Sequence, residues 1–493
     1  MTNMPEIKLG IAAVSRSCFP KSLSEGRCKE VCRKCADRGI EIFCCPTVSE
    51  NEKDMQKAVS ELKEAGVNAL VVYLGNFGPE TTETLLAKNF GLPVMFTAAA
   101  EESGKDLIDG RGDAFCGMLN ASYNLGLRGV KAYIPEYPVG TPDKVAEMIE
   151  EFIPVARAVL GLSKLKVISF GPRPQDFLAC NAPIARLYDM GVEIEENSEL
   201  DLFAAFNAHA GDKRIESIVA DMAAELGVGN KMPGILPKLA QYELTLLDWA
   251  EEHKGEREYV VYANKCWPSF QTQFGFVPCY VNSRLTGRGI PVSCEVDIWG
   301  AVSEYIGQCV SDDCVTLLDI NNTVPEDIYT EEIKGKFDYS LTDTFMGFHC
   351  GNTASGKLSS CEMKFQRIMR RDLEPDREPD ITRGTLEGDI APSKITFFRL
   401  QSTADAELAA YAAQGEVLPV ATRSFGAIGV FAIKEMGRFY RHVLIEGRFP
   451  HHGAVVFSHK GKALYSVFRY LGVKKIGFNQ PAGMLYPTEN PFA

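Results

Sequence analysis

Two acidic residues close apolar runs in the middle of the chain: Glu295 follows Pro291-Val-Ser-Cys294, and Asp319 follows Cys314-Val-Thr-Leu-Leu318. A carboxylate ending a buried strand is costly unless a cation or hydrogen bonds compensate it, and open α/β sheets place ligand-contacting side chains at the C-terminal ends of their strands. Capping of a helix that starts at about Asp297 is the competing role for Glu295. Two such acids point to a divalent metal with oxygen ligands. Histidines gather in the same half: of seven, His349, His442, His451, His452 and His459 lie in the last third of the chain. Adjacent strand residues face opposite ways, so the His451-His452 pair is expected to send one imidazole into a site and the other elsewhere. His349 follows the strand-like Thr344–Phe348 and precedes a Gly-Asn turn, a reasonable place for a ligand-facing side chain.

Other motifs carry less. Cys28-x3-Cys32-x2-Cys35 has the spacing with which radical enzymes hold an iron–sulfur cluster. These positions share one face of a helix, however, and their expected role is core packing. Gly351-Asn-Thr-Ala-Ser-Gly-Lys357 approximates a phosphate-binding loop, but Leu358 stands where a hydroxyl should meet magnesium, so a chance match is expected. No G-x-G-x-x-G follows the first strand, which leaves a nicotinamide dinucleotide without an obvious seat.

The elements that must position these residues fall into three blocks. Apolar runs at Leu9–Val14, Ile40–Cys45, Ala69–Leu74, Pro93–Thr97 and Val130–Ile134 alternate with helical patterns such as Asn51–Ala65 and Pro142–Leu160. That alternation is the signature of βαβ units. A second set, Val167–Phe170, Val192–Ile194, Tyr259–Ala263, Pro278–Val281 and Val292–Val296, is separated by the helical patterns Arg214–Leu226 and Gly234–His253. Beyond about residue 310, strands such as Lys394–Leu400 and His442–Glu446 follow one another with turn-rich stretches such as Leu373–Pro379 between them. Thr385–Leu400 reads as hairpin or barrel strands, and Lys460–Leu471 as an amphipathic closing helix. The expected class is α/β: two doubly wound Rossmann-like domains, 1–163 and 164–308, followed by a β-rich C-terminal domain, 309–493.

Composition narrows the function classes. The 493 residues are 45% hydrophobic and 24% charged, which suits a multi-domain globular chain. A net charge of -13 without a basic block argues against nucleic acid as a partner. The apolar runs are too short for a membrane span, and Met1–Gly10 lacks the basic and apolar regions of a signal peptide. Fifteen cysteines, several in strand-like segments (Cys44, Cys45, Cys294, Cys314), fit a reducing, cytoplasmic compartment.

The ordered set of motifs resembles the L-fucose isomerase and L-arabinose isomerase family. The pieces are Cys266-Trp-Pro-Ser-Phe-Gln271, Gly275-Phe-Val-Pro-Cys279, Gly289-Ile-Pro-Val-Ser-Cys-Glu-Val-Asp297, Phe348-His-Cys-Gly-Asn352, Thr385–Leu400 and His451-His-Gly-Ala454. The resemblance implies an intramolecular oxidoreductase that interconverts an aldose and its ketose through an ene-diol. The sugar would be a pentose or 6-deoxyhexose such as L-fucose or L-arabinose, with Mn2+ or another divalent cation spanning O1 and O2. Glu295 and Asp319 match the family's metal-binding acid/base pair, and His452 its C-terminal histidine ligand, with His451 as the fallback. His349 resembles a further ligand of the arabinose-type enzymes and is taken as a substrate or metal contact. Trp267 would suit an apolar wall against the sugar carbons, and Arg16 could hydrogen-bond distal hydroxyls. The family also implies a homo-oligomer, a trimer or hexamer. Two other functions fit parts of the pattern: a sugar-binding protein without catalysis, since two doubly wound domains around a cleft also build such proteins, and a metal-dependent aldolase or hydrolase using the same ligands.

Overall fold

The computed structural model describes residues 3–366 and 382–492. Its contacts divide into two compact units, Pro5–Leu160 and Gly161–Ala493 with Met1–Met4. The turn-rich Leu373–Pro379 lies outside the described residues.

In the first unit the strands are β1 (Leu9–Val14), β2 (Ile42–Cys44), β3 (Ala69–Leu74), β4 (Val94–Ala99) and β5 (Val139–Gly140), parallel and in the order β2-β1-β3-β4-β5. β1, β3 and β4 are buried along their whole length, as befits parallel strands covered on both faces. Gly10 is required where it stands, because a Cβ would lie 2.8 Å from both Leu62 and Val67. The helix Glu52–Glu64 starts at Asn51, whose side chain accepts from the amides of Lys53 and Asp54. The predicted strand Val130–Ile134 is not formed: Tyr133 makes one isolated bridge to Met95, and the edge strand comes later as the two-residue β5.

One acid of this unit is buried without compensation. Both carboxylate oxygens of Glu83, on the helix Glu80–Phe90, have no hydrogen-bond partner among the described residues. Burial, reinforced by Glu80 and opposed by Arg16, pushes its carboxyl up to about 8. The folded state therefore keeps a proton that the unfolded chain releases near its ordinary value of 4.5, and stability is lost as pH rises between these two values. Glu83→Gln removes that loss, so its stability advantage should widen by up to about 1.4 kcal/mol per pH unit across the window. Denaturant melts at pH 5 and pH 8 measure this, and an advantage that is the same at both would refute it.

The second unit holds two sheets. β6 (Leu165–Gly171), β7 (Glu193–Ser198), β8 (Tyr259–Asn264) and β9 (Val292–Cys294) form a parallel sheet in the order β7-β6-β8-β9. The remaining strands are β10 (Val315–Asn322), β11 (Thr344–His349), β12 (Glu362–Gln366), β13 (Thr382–Asp389), β14 (Ser393–Ser402), β15 (Leu408–Leu418), β16 (Ala427–Ala432), β17 (His452–Val456) and β18 (Lys475–Phe478). Among the described residues they form one mixed sheet, β12-β13-β16-β11-β10-β17-β14-β15-β18. β15 also pairs antiparallel with β16, so the strands from β16 through β11, β10, β17 and β14 to β15 close into a ring. Closure leaves no open edge within the ring. Phe345, Phe397, Phe431 and Tyr411 pack together, and a Cβ at Gly453 would overlap the Phe397 ring and the Tyr411 hydroxyl.

The α/β class thus holds, with two parallel sheets and a β-rich mixed one. Both sheets of the second unit belong to one compact body, whereas the sequence divides that stretch at residue 308. β13 and β14 do not pair with each other, so Thr385–Leu400 is not a hairpin; β14 is a ring strand. The predicted strand Pro278–Val281 is the entrance to the helix Cys279–Gly287, which is buried nearly all round; an apolar run of this kind does not distinguish a buried helix from a strand. His442–Glu446 likewise enters a π-helical turn, Tyr440–Ile445, in place of a strand. Among the described residues no helix is long and apolar enough to cross a membrane.

Candidate active site

Strand register brings most of the chemistry together. In β10 Asp319 stands opposite His452 of β17 on one side and opposite Phe348 of β11, the neighbour of His349, on the other. Register thus brings three segments far apart in sequence to one level of β10, with Asp319 in mid-strand, His349 at the end of β11 and His452 at the start of β17. Glu295 arrives from the other sheet, in the turn between β9 and the helix Ile298–Ser311. Glu295 and Val296 both adopt left-handed backbone angles, φ 60 and 57, a conformation costly for residues with a Cβ and characteristic of functional turns.

His452 is at the centre and fully buried. Its Nε2 lies 3.2 Å from Glu295 Oε2 and 3.4 Å from Asp319 Oδ1. Its Nδ1 lies 2.9 Å from Asp297 Oδ2. Asp297 is gripped by the buried Arg399 of β14, whose two terminal nitrogens donate to the two carboxylate oxygens at 2.8 and 2.9 Å. Burial would raise the Asp297 carboxyl, but Arg399 and His452 hold it far below the usual carboxylate range. An ionised Asp297 fixes the proton on Nδ1 of His452 and turns Nε2 toward the two acids, the arrangement by which carboxylate–histidine pairs orient metal ligands.

The electrostatics of the three ligand candidates differ. Burial would raise Glu295, yet His452, His349 and the indole N–H of Trp267, which donates to Glu295 Oε1 at 3.2 Å, keep it below the ordinary value. Asp319 is pushed up to about 7 by burial, with His452 opposing and Glu295 reinforcing. Asp319 Oδ1 and His452 Nε2 are buried and without a hydrogen-bond partner among the described residues. Two facing ligand atoms without hydrogen bonds, beside the second carboxylate, Glu295, fit a divalent cation that prefers oxygen and imidazole donors. Asp319, His349 and His452 form one group with ligand atoms within 4.8 Å of one another, and Glu295, His451 and His452 another.

His349 is buried, and burial lowers its imidazole to about 4, so it is neutral. Its Nδ1 accepts from the Cys350 amide at 2.9 Å, which leaves the proton on Nε2 as a donor. His451 also faces the site, its Nε2 3.9 Å from Asp319 Oδ1 and its ring edge-on to Phe177. The expected opposition of the two adjacent histidines fails because β17 begins at His452: His451 sits in a bend, where strand alternation does not apply. Arg16 lies in the first unit, its guanidinium over the Phe77 ring at 4.5 Å and 3.9 Å from Glu80.

Four neighbours were not singled out from the sequence as site residues. Asp297 was legible only as the place where a helix starts; the capping role considered for Glu295 is filled by Asp297, which accepts from the Gly300 amide. Arg399 had a signal, a cation inside the apolar run Ile395-Thr-Phe-Phe-Arg-Leu400, which requires a buried partner. Cys180, with Sγ 3.5 Å from His452 Nδ1, and Phe177 come from the loop after β6 and had none.

An α/β protein with a carboxylate–histidine centre built on the ring strands β10, β11 and β17 is defined by this geometry. Residues 10–163 match the model of the fucose/sulfoquinovose isomerase N-terminal domain, and residues 347–478 that of the L-fucose isomerase C-terminal domain. The chain is a divergent member of this isomerase family. Sulfoquinovose isomerases of Priestia aryabhattai and Priestia megaterium are each 30% identical over 172 residues, 34% of this chain and 37% of theirs. That of Alkalicoccus urumqiensis is 24% identical over 338 residues, 67% of this chain and 69% of the relative. The chain thus aligns with little more than a third of the length of the two Priestia relatives.

Proposed function

We propose that this protein is a metal-dependent aldose–ketose isomerase acting on an open-chain sugar. The observation that carries this is the meeting of Glu295, Asp319 and the Asp297-oriented Nε2 of His452, with two of their ligand atoms buried and without a hydrogen-bond partner among the described residues. A bound divalent cation, Mn2+ being the first candidate, would supply positive charge against the sugar's O1 and O2. Glu295, Asp319 and His452 would hold it. Glu295 and Asp319, one at the turn after β9 and the other on β10, move the proton between C2 and C1 as the aldose passes through the ene-diol to the ketose. His349 Nε2–H donates to a sugar oxygen and does not ligate the cation, because its Nδ1 is occupied by the Cys350 amide. Trp267 orients Glu295 through its indole N–H. His451 and Phe177 border the same space. The active form is a homo-oligomer, trimer or hexamer, which light scattering would establish.

The substrate class is a pentose, a 6-deoxyhexose such as L-fucose, or sulfoquinovose, the sugar named in the relatives. Metal-stripped protein reloaded with manganese and incubated with these aldoses in deuterated water should incorporate deuterium at C2 and form the ketose, as read by NMR. Tight metal binding with no exchange for any of them would refute the isomerase activity.

His452→Ala should weaken manganese binding at least about tenfold. His459→Ala should leave it unchanged, because His459 is exposed and turned to the Gly415 carbonyl. Equal effects in calorimetric titration would undo the assignment.

A further inference from the structure

The first unit carries a cluster of thiols that the isomerase chemistry does not use. Cys28 and Cys32, one turn apart on the helix Lys21–Asp37, meet Cys44 at the end of β2, and their sulfurs lie within 4.8 Å of one another. The partner of the helical pair is Cys44 and not Cys35, which is fully buried and absent from the group. β2 packs against the helix Lys21–Asp37, which brings Cys44 to the helical pair, while Cys45, just past the strand, borders the same cavity. The Cys45 thiol donates to Glu61 Oε2 at 3.3 Å, on the helix Glu52–Glu64.

Two properties separate this trio from ordinary core cysteines. It lines an open cavity of about 420 Å³ that also touches Glu25 and Lys29. Cys32 and Cys44 are only half-buried, so ions and reagents reach them.

We propose that Cys28, Cys32 and Cys44 form a site for a thiophilic d10 cation, zinc(II), with three sulfur ligands and the fourth position open to the cavity. Tetrahedral zinc with Zn–S of about 2.3 Å sets its sulfurs about 3.8 Å apart, close to the spacing of the three thiols, which lie within 4.8 Å of one another. Binding releases the thiol protons to solvent and forms three Zn–S bonds, with no redox step. Lys29, paired with Glu25 at 2.6 Å, remains beside the thiolates to offset the net negative charge of such a centre. The site would clip the three-residue β2 to the helix Lys21–Asp37.

The test uses the full-length, reduced, metal-stripped protein titrated with cobalt(II) or cadmium(II), whose bonds to thiolate give charge-transfer absorption that a carboxylate–histidine centre does not. One equivalent should produce the sulfur-to-metal band, excess zinc(II) should bleach it, and zinc should raise the melting temperature. Cys32→Ser and Cys44→Ser should each lose the band; both positions are half-buried, and circular dichroism verifies their folding. His452→Ala should keep it, which makes the result independent of the isomerase proposal. No band in the wild type, a band that survives in both serine variants, or binding of copper(I) without zinc(II) would each overturn the proposal.

Discussion

Glu295→Gln and Asp319→Asn should each lower turnover by about 10² to 10⁴, the range that a positioned acid or base contributes. Each substitution keeps the shape of the side chain and removes its charge, so the fold should survive. The two should differ in detail. Glu295 stands on left-handed backbone, with Trp267 and His452 against its oxygens, and gains from its charge at every contact. Asp319 is buried with Oδ1 unpartnered among the described residues, so Asp319→Asn should cost no stability and can raise it slightly. Initial rates on the substrate found by deuterium exchange, with metal content measured on the same samples, decide the matter. Turnover and metal content both intact in either variant would show that the acid/base pair is misassigned.

Arg399→Met should be the most destabilising single change near the site, at about 3–5 kcal/mol, because it strands the buried Asp297 carboxylate without its cation. It should also weaken divalent-cation binding about 10–100-fold, the usual effect of losing a partner that orients a histidine ligand. The double variant Asp297→Asn/Arg399→Met separates these effects. With no charge left to strand, much of the stability should return; with no anion on Nδ1 of His452, the cation affinity should stay low. Urea denaturation and metal titration read the two quantities independently. Recovery of both together would mean that Asp297 and Arg399 serve packing alone.

The acids that close apolar runs were visible in the sequence because the physics there is local, although β10 itself runs on past Asp319 to Asn322. An apolar run that stops on an acid announces a carboxylate with an unpaid desolvation cost, and Glu295 and Asp319 announce it in that way. The βαβ alternation of the first half is equally local, which is why β1 and β3 and the helix Arg214–Leu226 fall at their expected bounds. Short apolar segments were not decidable in the same way. Pro278–Val281 and His442–Glu446 are too short for periodicity to separate a strand from a buried turn of helix.

What the sequence by itself determined is the inventory: an α/β class, two acids and a histidine pair suited to a divalent cation, and a row of cysteines. Tertiary structure decided the connections. Asp297 reaches Arg399 and His452 across more than a hundred residues of chain, and the link exists only because the turn after β9 delivers it to the ring strands β14 and β17. Both histidines face the site because β17 starts one residue later than alternation assumes. Cys28 and Cys32 acquire Cys44 in place of Cys35 because a parallel strand, and not the helix repeat, lies beside them. In each case the deciding quantity is a distance between segments, which register and packing set and which composition, periodicity and motif spacing do not contain.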